Sequence, residues 1–159
     1  MLDALRNFLT FKGEEQQRPF TDDDQRLAFA ALLVHCVAVD GAAGEDERAR
    51  MREILKADYG LSGDDLERLI TEAERVDAEA IDLYRFTSVL KRQMTIEERI
   101  RAVERLWEVI YVDGEVHEFE DNLVWRVAEL LGVDRNARIG LKLAVAERHA
   151  QSERESHNE

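Results

Sequence analysis

The 159-residue sequence holds one cysteine, Cys36, and one proline, Pro19. A lone cysteine excludes an intramolecular disulfide and fits a reducing compartment, so a cytoplasmic location is expected. The lone proline lies outside every helical pattern, so nothing of its kind interrupts the helices. Glycine is scarce and falls at presumed turns, and strand-like alternation is nearly absent. The longest apolar stretch, Leu27 to Val39, is too short to span a bilayer. The opening MLDALRNFLTF carries Asp3 and no basic flank, so it does not read as a signal peptide. Basic residues are outnumbered, 22 Lys and Arg against 35 Asp and Glu, for a net charge of −13. Such a surface repels phosphate backbones and anionic lipids. Nucleic-acid binding and direct membrane binding are therefore disfavoured, and a cation or a basic protein partner suits the charge better. Catalytic signatures are missing too: no Gly-x-Ser-x-Gly, no HExxH, and no Lys-Ser/Thr after Gly41-Ala42-Ala43-Gly44. No enzymatic activity is expected.

What is present is helical periodicity, and it predicts an all-α domain. Residues 1–20 divide into an amphipathic helix with Leu2, Leu5, Phe8 and Leu9 on one side, and a polar linker from Lys12 to Phe20. Three readings of that helix stand open: docking on the domain, packing on a second copy in a homodimer, or lying on a membrane. The helical domain is expected over 21–150, with 151–159 a disordered tail. Thr21 with three following acids reads as an N-cap, and the unbroken apolar run after Leu27 reads as a central helix. Ser62 with Asp65 and Thr95 with Glu98 read as capping boxes, and Asp134 as a further cap. A helix is expected over about Ala78 to Arg92, with Ile81, Leu83, Tyr84, Phe86 and Leu90 in the core. Phe119, Leu123, Val127 and Leu130, and then Ile139, Leu143 and Ala146, are also expected to point inward.

One unit occurs twice. LAFAALLVHCVAVDGAAGEDE, from Leu27 to Glu47, returns as IRAVERLWEVIYVDGEVHEFE, from Ile100 to Glu120. Asp40, Gly41, Glu45 and Glu47 map onto Asp113, Gly114, Glu118 and Glu120 at a constant offset of 73. Leu66, Ile70 and Ala73 are echoed by Ile139, Leu143 and Ala146, which implies a pseudo-two-fold arrangement. Each loop gathers carboxylates: Asp40, Glu45, Asp46 and Glu47 in the first, Asp113, Glu115, Glu118 and Glu120 in the second. Hard cations such as Mg²⁺, Ca²⁺ or Mn²⁺ take such oxygen donors. An Asp at a helix carboxyl end also faces the negative pole of the dipole, a cost that a cation offsets. Plain capping explains the same residues, because Gly41 and Gly114 suit C-caps and acids suit helix starts. The loops are not EF-hands, since Glu45 and Glu118 stand where that loop needs glycine.

No pair of histidines has the helical spacing that holds zinc, so His35 reads as a hydrogen-bonded helix residue. Cys36 reads as a small buried hydrophobe. Trp125 stands off the inward stripe of its helix and marks a candidate partner surface.

With Val39-Asp40-Gly41 and Glu47, and Val112-Asp113-Gly114-Glu115 and Glu120, the chain resembles the TerB-like family, named for tellurite resistance. The resemblance covers about Thr21 to Ala150, including the DLYRFTSVLKR stretch. It implies a compact bundle of about seven main helices. It also implies an acidic cluster for a divalent metal, and a role in stress response or as an interaction module, as in a related domain of a J-domain co-chaperone. Carried over, Asp40, Glu47, Asp113 and Glu120 form the site, with Glu115 next. Ala42 and Gly44 depart from the pattern, so the second loop matches it more fully than the first. Two functions follow: a cation-binding stress module, or a helical adaptor whose loops are purely structural.

Overall fold

The computed structural model describes residues 21, 24–38, 44–114 and 116–158, with only the backbone of Asp113. The expected helix and linker of residues 1–20 lie outside the described residues. Among the described residues there are seven α-helices and no strand. They are α1 (Gln25–Ala38), α2 (Glu45–Tyr59), α3 (Gly63–Glu79), α4 (Tyr84–Gln93), α5 (Ile96–Ile110), α6 (Glu118–Leu130) and α7 (Arg135–His157). A 3₁₀ turn, η1 (Tyr111–Asp113), follows α5.

The apolar run makes α1 the central helix. Leu27 through Val34 are all buried, as are Cys36 and Val37. A helix without a polar face has to be enclosed, and α1 packs on α2, α3, α4 and α5. His35 is hydrogen-bonded as expected, its Nδ1 2.8 Å from Asp77 Oδ1. That bond ties the end of α1 to the end of α3. The partly buried side chains between α2 and α5 are ionic: Arg105 bonds Asp58, and Arg50 and Arg105 both donate to Glu108 at 2.9 Å. α5 buries Val103, Leu106, Trp107 and Ile110 on the other side. α7 lies along α5 and η1, and Val145 is its one buried residue.

Two of the expected caps form. Thr95 Oγ1 accepts from Glu98 N while Glu98 Oε1 accepts from Thr95 N, and Asp134 Oδ1 accepts from Ala137 N at 2.8 Å. Two others differ. α1 is capped by Asp24, whose Oδ1 accepts from Arg26 N, so the start lies three residues beyond Thr21. Ser62 makes no side-chain cap bond; Asp65 is drawn into an ion pair with Arg68 instead.

Four stretches depart from the sequence reading. α3 runs on to Glu79, and α4 begins only at Tyr84, because Asp82 Oδ1 accepts from Tyr84 N and restarts the chain there. Ile81 and Tyr84 are consequently exposed, while Leu83, Phe86 and Leu90 are core. On α6, Glu120 turns inward to meet the His117 N–H. This sets the buried face as Glu120, Val124, Val127 and Ala128, and leaves Phe119 exposed one position off it. On α7, Arg138 lies over the Trp125 ring and Lys142 over the Trp107 ring. Their stems cover the groove, so Ile139 and Leu143 face outward. Finally, the segment from Gln151, expected as a disordered tail, continues α7 to His157.

Candidate functional site

The described flanks of the two loops share one end of the bundle, where η1 packs on α2. The first loop joins α1 to α2, and the second joins α5 and η1 to α6. Gly114 adopts φ +83°, the left-handed conformation that ends η1 at low cost for glycine. Its N–H bonds Tyr111 O at 2.9 Å.

Of the five residues carried over as a site, two have described side chains. Asp40 and Glu115 lie outside the described residues, as does the side chain of Asp113. Glu47 and Glu120 occupy the same position, the third residue of α2 and of α6. Both are buried, at 3% and 1% exposure. Their neighbours Glu45, Asp46 and Glu118 are exposed, so among the described loop acids burial selects one on each side, and the same one.

Physical reasons for the position are local. The first turn of a helix favours negative charge, and Glu120 Oε1 accepts from His117 N at 3.2 Å. Burying a carboxylate is costly unless it is paired, and both residues engage further partners. Cys36 lies within the field of both charges. Burial pushes its thiol far above the ordinary range, and the charges of Glu120, Asp77 and Glu47 push it the same way, in that order. The two equivalent carboxylates, on two different helices, thus both act on the same thiol near the end of α1. The thiol is inert at neutral pH, as expected for a buried cysteine.

Two buried carboxylates are suitable donors for a hard cation, which wants several oxygens. They fit one in type and fall short in number. Among the described residues, no three His, Cys, Asp or Glu side chains converge as metal ligands. A complete shell would have to draw on Asp40, Asp113 or Glu115.

Sequence reasoning missed what roofs the second loop. A Cβ on Gly114 would lie 3.5 Å from His149 Nε2 and 3.6 Å from Glu153 Oε1. These two side chains of α7 lie 3.3 Å apart, an ion pair when the imidazole is protonated. Glu153 had been assigned to the tail; only the regular i, i+4 spacing of His149 with Glu153 could have signalled that the helix continues. Trp125 is half-buried, and Arg138 stacks on its ring at 4.0 Å.

A cavity of about 300 Å³ lies at the other end of the bundle, beside Phe29, Tyr59, Met94, Arg101 and Arg105. Burial pushes Tyr59 up to about 12, the wrong direction for a base near neutrality. No helix among the described residues is long and apolar enough to cross a membrane.

A family model described as tellurite resistance protein TerB matches residues 26–143. No curated protein and no solved structure matches the chain. The matched span runs from α1 into α7 and takes in both loops and both buried glutamates, and the chain belongs to the TerB family.

Proposed function

We propose that the protein is a non-enzymatic, cytoplasmic module of stress response that binds a divalent cation, Mg²⁺, Ca²⁺ or Mn²⁺, through its acidic interhelical loops. The observation that carries this reading is the matched burial of Glu47 and Glu120 in a chain of net charge −13. Carboxylates at equivalent positions are oxygen donors of the kind a hard cation takes, and a cation would add to the partners that both glutamates already have. Asp40, Asp113 and Glu115 supply the remaining oxygens, and solvent completes the shell.

Thermal unfolding in EDTA, then with each metal in turn, tests it. A cation that binds only the native state raises stability by roughly 2.7 kcal/mol at a hundred times its Kd. The metal-induced shift, taken within each variant, should vanish in Glu120→Gln and shrink in Glu47→Gln. No shift with any of the three metals at millimolar concentration would sink the reading.

The second reading is an adaptor that docks a protein partner. Exposed Ile81, Tyr84 and Phe119 favour it, as apolar side chains left open to solvent are what a protein partner would cover. Phe119→Ser would then abolish partner capture and leave any metal shift intact, whereas Glu120→Gln would do the reverse.

A further inference from the structure

We propose that a groove between α1, α2 and α3 receives Phe119 of a second copy of this chain, so that the protein associates with itself. The groove measures about 170 Å³. Val34, Met51 and Ile70 give it apolar walls, and its charged lining is Arg48, Arg52 and Glu74. Arg48 and Glu74 are exposed, so the groove opens to solvent.

The internal repeat says what kind of group this groove lacks. A second space, between α5, α6 and α7, is lined by Trp107, Val124 and Trp125. These are the counterparts of Val34, Met51 and Arg52 at the offset of 73, so the two spaces are equivalent. In the second half only about 10 Å³ is left, with the fully buried Trp107 in its wall and Arg138 and Lys142 beside it. In the first half the smaller Val34 holds the place of the indole, and room for an aromatic ring stays open.

The chain carries a matching group on another face. Phe119 is 74% exposed and follows the exposed Glu118. The groove has two arginines against one glutamate, so an aromatic ring led by an acid complements it in shape and charge. Arg52 is already paired with Glu67. Arg48 pairs with no carboxylate among the described residues and is available to Glu118. Tyr84, also exposed, is followed by Arg85 and matches less well. α6 packs on α4 and α5, not on the helices that form the groove, so the match is between copies. A knob and a hole on different faces make a heterologous contact, with an aromatic anchor at its centre. This contact needs neither a metal nor another protein, and so goes beyond both functions above.

Sedimentation equilibrium of the full chain tests it, over a concentration series at physiological salt. There a Debye length of about 8 Å limits the repulsion between two acidic copies. The wild type should associate reversibly. Phe119→Ser removes the knob, and Val34→Trp fills the hole as Trp107 does. Each should weaken association by about tenfold or more. Mixed in equal amounts, the two variants should pair, since one keeps the hole and the other the knob. If Val34→Trp does not fold, Arg48→Glu takes its place. It should weaken association, and Glu118→Arg added to the same chain should restore it. A wild type that stays monomeric at millimolar concentration would overturn the proposal. Association unchanged in Phe119→Ser and Arg48→Glu would place the interface elsewhere and overturn it equally.

Discussion

α3 and α7 hold matching places in the two halves of the repeat, yet they are fixed by different forces. α3 buries Leu66, Ile70 and Ala73. Their counterparts on α7 do not follow: Ile139 is 38% exposed, Leu143 65%, and Ala146 is half-buried. Capping runs the other way, since Asp134 caps α7 with a bond that Ser62 does not make for α3. Ion pairs and cation–π contacts hold α7, as in Arg148 with Glu104, Lys142 with Asp121 and Arg138 on Trp125. Glu47 and Glu120, by contrast, stay matched in position and burial. The duplicated sequence keeps its geometry where each loop turns an acid inward. It relaxes where the closing helix meets different neighbours, the enclosed α1 for α3, and α5 with η1 for α7.

The largest expected effect tests burial. Ile70→Ala should cost about 2–5 kcal/mol, the usual range for emptying a core site. Its counterpart Leu143→Ala should stay within about 0.5 kcal/mol. Urea unfolding of both variants checks this, and an equal loss would show that something covers the outer face of α7. The next effect belongs to one half only, because the counterpart of Cys36 is Val109, which is buried and cannot titrate. The folded thiol is held above its ordinary value of 9.0. As pH rises past that value, the unfolded thiol gives up its proton and the folded one keeps it. Stability present below that pH is then lost, at up to about 1.4 kcal/mol per pH unit. Cys36→Val, which copies the other half, should flatten this loss in urea midpoints followed up to about pH 10, where Tyr59 begins to add its own. A slope unchanged by Cys36→Val would show that the thiol is not the group responsible.

The bundle was legible in the sequence because its strongest signals were long and redundant. The run after Leu27 has no polar face and can only be enclosed, and the Thr95 box and the Asp134 cap are local chemistry that needs no neighbour. The errors came where one turn of helix can be read in two registers. Phe119 and Glu120 are adjacent, and hydrophobicity favours the wrong one. The bond from His117 N to Glu120 chooses the other. Ile81 fell to a single side-chain bond at Asp82 that restarts the chain. Ile139 and Leu143 fell to Arg138 and Lys142, whose stems fill a groove that composition assigns to apolar residues. As for the site, the repeat pointed to Glu47 and Glu120 by position. Their burial was not legible, because an acid at a helix start is ordinarily solvated.

The caps give the next smaller effect. Asp134→Ala should cost about 1 kcal/mol, the usual worth of an N-cap bond, and Ser62→Ala only a few tenths. Comparable losses in thermal unfolding would mean that Ser62 does cap α3 in solution. The smallest effect is the most local. Arg75 and Arg148 are counterparts across the repeat and both are exposed, but they reach in different directions. Arg75 pairs with Glu72 and Glu79 on its own helix. Arg148 crosses to Glu104 on α5. Exposed pairs contribute roughly 0.2–1 kcal/mol and are screened by salt, so neither Arg→Ala change should move global stability much. Amide hydrogen exchange should separate them. Arg148→Ala removes a tie between helices and should speed exchange from Glu147 to His157, while Arg75→Ala should leave α3 protected by its buried face. Equal protection at the end of α7 in the wild type and Arg148→Ala would show that the roof over Gly114, the His149–Glu153 pair, holds the helix without help from α5.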